Sequence, residues 1–388
     1  MSAKQSAAAV DVLTKDGIGR AELFSLALAL MFGGVLLTGR AEKLWAQQSW
    51  LAVILAVVVG LIFPLLLAAW VRLFAGQSMG QSLQFVFGRG AARLLLFILA
   101  VLWLVQMAAA VTCAAFFWAD LGAQSSALLL YAALFLLVAA CFAAGGGIAL
   151  GRVALLVVCP ALVLVFANLL LTVSGADKGN LLPLILPDYT VWPDALMGGL
   201  LVFGNLTVLL PFFYHTEAVK NQTAVIARAA VWLGLLWLIF SLCAVAVLGA
   251  ALPLYDFPLL QIFRLAEVGN WFSRFEVMGA ALLLMVLLIR ASVQFAAAVA
   301  VLAELWRLDK RQQIWLLVGG IAGLIWLLLA VVRHYGGDWS VLLWFGVNIL
   351  PWLLLFSAVV IPVVTILGAW LRLRLLGRTV VIRHSYRD

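Results

Sequence analysis

Arg290 is a cation in the middle of an apolar segment that runs from about residue 274 to residue 303. It follows Arg274 by 16 residues, which is roughly 24 Å along a helix and too deep for its head group to reach water at that end. If the segment crosses a membrane, a cation at this depth predicts a functional site. The alternative is a structural pair with a backbone carbonyl or with Glu304, and the sequence leaves both open.

Two other apolar segments contain glycines at which a helix could be interrupted, FGGV at residues 32–35 and Gly204-Asn205 after Phe203. An interrupted helix exposes backbone N–H and C=O groups, which attract the carboxylate and the ammonium group of an amino acid. Interruptions at matching places in two halves of a chain are typical of transporter binding sites. The alternative, which also stays open, is that the glycines only allow helices to pack closely.

Polar residues within the apolar segments at 92–118, 194–214 and 274–303, which are the third, sixth and eighth of the chain, extend this candidate site. Gln106, Asn205 and Ser292 stand out because their segments, with the first, enclose the central site of five-plus-five helix folds. Such residues more often join two helices by a hydrogen bond. The neighbouring apolar residues predict a small pocket, which favours alanine, valine or leucine as the ligand. The candidate ligand-binding residues are Phe32, Gly33, Gly34, Val35, Gln106, Ala109, Phe203, Gly204, Asn205, Leu206 and Ser292.

The composition places these segments in a membrane. The chain of 388 residues is 67% hydrophobic and 10% charged, with a mean hydropathy of +1.20, whereas soluble domains contain about 25% charged residues. The four cysteines lie in apolar runs without metal-ligand spacing, so we expect neither a metal nor a cofactor. No nucleophile–base constellation, phosphate-binding loop or nucleic-acid motif occurs, so we expect neither an enzyme nor a nucleic-acid-binding protein.

The apolar segments predict an all-α integral membrane protein with ten transmembrane helices, because about 20 residues cross a bilayer. With both termini in the cytoplasm, 17 Lys and Arg residues fall on the cytoplasmic side and 6 on the other. The predicted domains are a cytoplasmic segment at 1–20, a transmembrane domain at 21–371 and a basic cytoplasmic tail at 372–388. After Pro258 we predict a short amphipathic helix on the outer surface. The predicted spans are 21–41, 50–72, 92–118, 126–145, 151–173, 194–214, 228–250, 274–303, 313–332 and 339–371.

Three stretches resemble the GerB-type spore germination receptor subunits, also called the GerAB/ArcD/ProY family of the amino acid–polyamine–organocation transporter superfamily. Residues 257–308 are similar to the family's sequence of a Pro-containing loop helix, an RFE-type motif and a long span with a central cation. Residues 180–213, with NLLP at the start and FG within, resemble the entry and the break of span 6. Residues 18–39 resemble the start of span 1.

The resemblance implies a LeuT-like fold of two inverted five-helix repeats with helices 1 and 6 broken. It implies a receptor subunit for a small germinant, usually an amino acid, in the spore inner membrane or cell membrane. Its partners would be an A-type subunit and a C-type lipoprotein; the alternative is a secondary amino-acid transporter. The chain has Asn205 where the family often has Glu, which argues against a proton relay there. Arg290 replaces a frequent Lys and predicts a fixed charge in place of a transported cation.

Overall fold

The computed structural model describes residues 18–45, 48–121, 127–181, 192–215, 219–255, 257–265, 275–308, 311–334 and 349–375. These residues form helices and connecting turns, without a strand among them. The α-helices are α1 Arg20–Trp45, α2 Ser49–Gly60, α3 Ile62–Leu73, α4 Met79–Phe87, α5 Arg89–Asp120, α6 Leu128–Ala144, α7 Gly146–Thr172, α8 Trp192–Phe203, α9 Val219–Leu248, α10 Pro258–Leu265, α11 Phe275–Trp306, α12 Arg311–His334, α13 Leu350–Leu355 and α14 Ile361–Leu375.

The helices account for the predicted transmembrane spans. Eight helical stretches of the described chain are long and apolar enough to cross a membrane, and the shorter apolar stretches Leu128–Ala144 and Gln313–Leu329 fall on the fourth and ninth predicted spans. The tenth span is described only from Leu350, where α13 continues through a π-helical turn into α14. α14 ends at Leu375, slightly beyond the predicted end of the transmembrane domain. Most of the predicted terminal segments, 1–17 and 376–388, lies outside the described residues.

The predicted interruption of helix 1 is not present in this structure. α1 runs as one α-helix through Gly33 and Gly34 to Trp45. Glycine lowers helix propensity by about 1 kcal/mol but does not prevent a helix whose neighbours pack against it. Packing with α7, α8, α9 and α11 surrounds α1 in the bundle, and this burial outweighs the local preference. The two glycines therefore permit close contact rather than a break.

The predicted interruption of helix 6 is confirmed as a change of helix type at Gly204. α8 ends at Phe203, and residues Gly204–His215 continue as a 3₁₀ helix that contains Pro211. Long 3₁₀ segments are uncommon because their hydrogen bonds are poorly aligned. The last carbonyl groups of α8 lose their regular partners at this change and need others.

α11 is the central helix of the bundle. Every residue from Val286 to Ala303 is buried, and α11 packs against α1, α5, α6 and α7. A helix that is buried all round presents each of its polar residues to another helix rather than to lipid. The polar residues Arg290, Ser292 and Gln294 are therefore part of the interior of the protein.

The amphipathic helix predicted after Pro258 is α10. Its apolar residues Leu259, Leu260, Ile262 and Phe263 are buried, and α10 packs against α7, α9 and α11. The apolar face therefore covers the ends of transmembrane helices, instead of facing the membrane surface alone.

Charged side chains from other helices hold the short helix α4 at both ends. Glu304, near the end of α11, accepts hydrogen bonds from Ser78 Oγ and from Gly80 N at 3.4 Å, in the first turn of α4. Arg372 of α14 donates to the carbonyl oxygen of Phe85 at 2.7 Å, in the last turn. An acid at the N-terminus and a cation at the C-terminus both complement the helix dipole. α4 thus links α11 to α14.

Loss of the carboxylate of Glu304 should destabilise this link. We expect Glu304→Ala to lower the free energy of unfolding by about 1.5–3 kcal/mol, the usual cost of losing a hydrogen bond to a charged group. Glu304→Gln keeps an acceptor oxygen and should cost less. Thermal unfolding of the purified protein in detergent measures both. Arg152→Ala is the control, because Arg152 is 72% exposed and 3.6 Å from Glu22, and it should change little. A Glu304→Ala effect as small as the control's would contradict the prediction.

Candidate ligand-binding site

Arg290 is fully buried at the centre of the protein and donates to carbonyl groups of two other helices. Its Nη1 lies 2.5 Å from the carbonyl oxygen of Leu30 in α1, and its Nη2 lies 3.4 Å from that of Leu201 in α8. Leu201 is in the last turn of α8, where free carbonyls form the negative end of the helix. The predicted carbonyl partner of Arg290 is therefore confirmed, whereas Glu304 binds α4 instead.

Gly33 and Gly34 create the space for this contact. A β-carbon at Gly33 would lie 2.7 Å from Cδ of Arg290, and one at Gly34 would lie 2.8 Å from Nη1. The β-carbon at Gly34 would also lie 2.7 Å from the carbonyl oxygen of Leu201. The absence of side chains at both positions lets α1, α8 and the guanidinium of Arg290 meet, so the close-packing alternative describes these glycines.

Asn205 binds a carbonyl group in the last turn of α8. Its Nδ2 donates to the carbonyl oxygen of Leu201 at 2.9 Å, so Leu201 accepts from both Asn205 and Arg290. Its Oδ1 accepts from Nε2 of Gln294 at 2.8 Å. Nε2 of Gln294 also lies 3.5 Å from Oε1 of Gln106 in α5. One polar network thus joins α1, α5, α11 and the end of α8.

The carbonyl of Leu201 determines which way the amide groups of this network point. A carbonyl only accepts, so Asn205 must turn its Nδ2 towards Leu201 and its Oδ1 towards Gln294. Gln294 must then present its Nε2 to Asn205, which leaves its Oε1 on the other side. Gln106 turns its Oε1 to the same Nε2, which leaves its own Nε2 unused. The amide orientations follow from hydrogen bonding.

Three atoms of the network have no hydrogen-bond partner although they are buried. They are Nε of Arg290, Nε2 of Gln106 and Oε1 of Gln294. An unpaired buried polar atom costs about 1–3 kcal/mol. The nearby Nε1 of Trp103, one turn before Gln106 on α5, is unpaired as well. Other buried unpaired atoms of the described residues lie on Gln77 and Asn168. The network is the place where three side chains with such atoms are joined by hydrogen bonds, beside the change of helix type, and it is therefore the candidate site.

Phe32 and Val35 lie on a different face of α1 from the two glycines. Both line a cavity of about 10 Å³ between α1, α7, α9 and α10, together with Trp237 and Phe240. This volume holds at most about one water molecule. Their contribution to the same pocket as Gly33 and Gly34 stays a prediction.

The remaining candidate residues lie outside the hydrogen-bond network. Phe203 packs on Gly60 and Trp237, and its ring centroid is 6.5 Å from that of Trp237. Ser292 donates to the carbonyl oxygen of Leu288 at 2.7 Å, within its own helix. The others are buried or partly buried in apolar contacts: Ala109 beside Leu201, Leu350 and Leu354, Gly204 beside Phe63 and Ala358, and Leu206 in the main core.

Gln294 and the carbonyl groups of Leu30 and Leu201 are the parts of the network that the candidate set lacked. Gln294 lies one helical turn after Arg290, at the i, i+4 spacing that places two side chains on one face. That spacing could have predicted Gln294 as part of the site. No sequence pattern could have predicted the two carbonyl groups, because every residue has one.

The fold and the network define an all-α membrane protein of the LeuT type. The crystal structure of MhsT in complex with L-phenylalanine is similar, with a TM-score of 0.61 and 16% identity, over 92% of this chain and 98% of that one. The family described as "Spore germination protein", of permease type, matches residues 18–332. The chain belongs to this family of spore germination permeases. No curated protein matches its sequence.

Proposed function

We propose that this chain is the membrane subunit of a germinant receptor, and that it binds an amino acid at the centre of the helix bundle. The observation that supports it is the buried network, whose three unpaired polar atoms lie where helix 6 changes from α to 3₁₀. A polar ligand would satisfy atoms that the protein alone leaves without partners. The ligand-contacting residues in this proposal are Gln106, Asn205, Gln294 and Arg290, and Gly33 and Gly34 provide the space that Arg290 occupies beside them.

The proposal also concerns the apolar part of the ligand. Phe203 and Leu206 are buried next to Gly204 and Asn205 in the chain, whereas Phe32 and Val35 would join them only if α1 turned on binding. An apolar surrounding of this kind favours a small apolar side chain on the ligand, such as that of alanine, valine or leucine. The complex of MhsT with L-phenylalanine gives an apolar amino acid as the ligand of a protein with a similar fold.

Membership of the family supports a proposal about partners and location. We propose assembly with an A-type and a C-type receptor subunit in the spore inner membrane, with both termini in the cytoplasm. Neighbouring genes for these two subunits and expression in the forespore would support this. A source organism that forms no spores and has neither gene would overturn it.

The second candidate function is secondary transport of an amino acid. The similarity of the fold to that of MhsT, over nearly the whole of both chains, favours it. The same central site would then open to each side of the membrane in turn.

Binding and uptake, measured on one preparation, distinguish the two functions. The purified protein is titrated with each of the twenty amino acids, and proteoliposomes are tested for uptake of every labelled amino acid that binds. We expect saturable binding without net uptake. Accumulation driven by an ion gradient would favour the transporter, and no binding of any amino acid would contradict both functions.

A further inference from the structure

The structure leaves little of the backbone chemistry that an interrupted helix would offer to an amino acid. α1 is continuous, so it presents no helix N-terminus at its centre to hold a carboxylate. The carbonyl of Leu201 in the last turn of α8 already accepts from Arg290 and Asn205. An ammonium group would have to displace one of them. The side chains of the network must therefore provide the recognition.

Arg290 carries a positive charge that has no carboxylate partner among the described residues. The titratable side chain that acts on it is that of Cys113 in α5, which is uncharged as a thiol. Its hydrogen bonds go to two neutral carbonyl groups, and it forms no ion pair with a described residue. Glu304 lies 14 residues further along the same helix and binds Ser78 and Gly80. A buried cation without an anion is unstable by several kcal/mol. An anionic ligand group would remove this cost.

The unpaired atoms of the network have complementary types. Nε of Arg290 and Nε2 of Gln106 are donors, whereas Oε1 of Gln294 is an acceptor. Arg290 and Gln294 lie one turn apart on α11, about 5–6 Å between their β-carbons. A ligand that completes this set needs one group that accepts, one that donates, and a negative charge on the accepting group. A carboxylate with an ammonium group on the next carbon meets these requirements.

We propose that Arg290 and Gln106 bind the carboxylate of an apolar α-amino acid, and that Gln294 Oε1 accepts from its ammonium group. This orientation rests on the proposed function and specifies which end of the ligand each side chain contacts. Binding requires α1 or the side chain of Arg290 to move, because a β-carbon at Gly34 would already lie 2.8 Å from Arg290 Nη1. The positive charge of Arg290 then serves ligand recognition directly.

The test compares ligands that lack one charged group within a single protein variant. The probes are L-alanine, L-valine and L-leucine, their amides, which lack the carboxylate, and propanoate, 3-methylbutanoate and 4-methylpentanoate, which lack the ammonium group. Dissociation constants are measured by titration calorimetry. The ratio between two probes in one variant does not depend on the fraction of protein that is folded, so losses in stability cancel.

For the wild type we expect each amide to bind about tenfold to a hundredfold more weakly than its amino acid, the effect of one charge-assisted hydrogen bond. In Arg290→Gln this ratio should fall to about threefold or less, and in Arg290→Lys it should persist. Gln106→Leu should reduce it severalfold, which tests the carboxylate site even if Arg290→Gln does not fold. Gln294→Leu should instead reduce the preference for the amino acid over its deaminated acid.

Ser241→Ala is the matched control. Ser241 forms a buried hydrogen bond with Ser49 at 3.2 Å between α9 and α2, and it takes no part in the network. Both ratios should be unchanged in this variant.

Three results would overturn the inference. The amides could bind the wild type as tightly as the amino acids, or the preference for the carboxylate could persist in Arg290→Gln. The wild type could also bind none of the three apolar amino acids. The first two results leave amino-acid binding, and with it the proposed receptor function, intact. After the third result the receptor function would survive if another of the twenty amino acids bound, so the two failures are distinguishable.

Discussion

Replacing Gly34 with leucine should abolish ligand binding while the protein remains inserted in the membrane. A β-carbon at this position would lie 2.7 Å from the carbonyl oxygen of Leu201 and 2.8 Å from Cα of Val202, and both are backbone atoms that cannot rotate away. It would also press on Arg290 Nη1. Helix α8 must therefore move away from α1, which breaks the network at Leu201. Overpacking of this kind costs about 1–3 kcal/mol for small additions, and leucine adds several atoms.

The measurements are membrane abundance, thermal stability in detergent and ligand binding. Gly34→Ala should already weaken binding, because alanine carries the clashing β-carbon. Gly319→Leu in α12 is the matched control, since nothing lies within 4 Å of a β-carbon there, and it should leave stability and binding unchanged. Normal binding by Gly34→Leu would show that the contact between α1 and α8 is not needed for the site.

Replacing Arg290 with methionine should eliminate the ligand response without lowering the amount of folded protein. The carbonyl of Leu30 lies within the continuous helix α1, and that of Leu201 keeps its bond from Asn205 at 2.9 Å. Neither acceptor is left without a partner when the guanidinium is removed. A buried charge costs several kcal/mol, so its removal, with no acceptor left unpaired, should not lower stability. Response and stability should therefore separate in this variant.

Arg290→Lys should keep much of the response, because it retains the charge at the same depth. The response should also be insensitive to added sodium, since a fixed charge already occupies the centre of the protein. A germination assay or a ligand-binding titration measures the response. Immunoblots of membranes measure the abundance. A large loss of folded Arg290→Met would instead assign Arg290 a structural role. Equal response and equal abundance would reject both roles.

The sequence predicts that Arg290 is buried, but not which partner it binds. Its depth in an apolar segment was enough to predict burial and a carbonyl or carboxylate partner. Which of the two Arg290 binds depends on how the helices pack. The last turn of α8 lies beside Arg290, whereas Glu304 lies beside the start of α4 and binds Ser78 and Gly80. Sequence spacing describes one helix at a time, whereas this choice involves three.

The glycines of helices 1 and 6 behaved differently although their sequence signals were alike. At Gly204 the helix changes type, and Pro211 follows seven residues later within the 3₁₀ segment. Gly33 and Gly34 remain in an α-helix because Arg290 and α8 fill the space beside them. Glycine permits either outcome, and the contacts of neighbouring helices select one.

The sequence by itself determined the class of protein, since 20-residue apolar segments can satisfy their backbone groups in a membrane only as helices. The same patterns located the spans and identified Arg290, Gln106 and Asn205 as buried polar residues. Only the tertiary structure decided which of these residues meet, because the network depends on the packing of α1, α5, α8 and α11. It added Gln294, placed Ser292 in a bond within its own helix, and put Phe32 and Val35 on another face of α1. Hydrogen bonds between helices depend on how each helix is rotated about its axis and how far it is shifted along it. Hydrophobic periodicity does not specify either quantity.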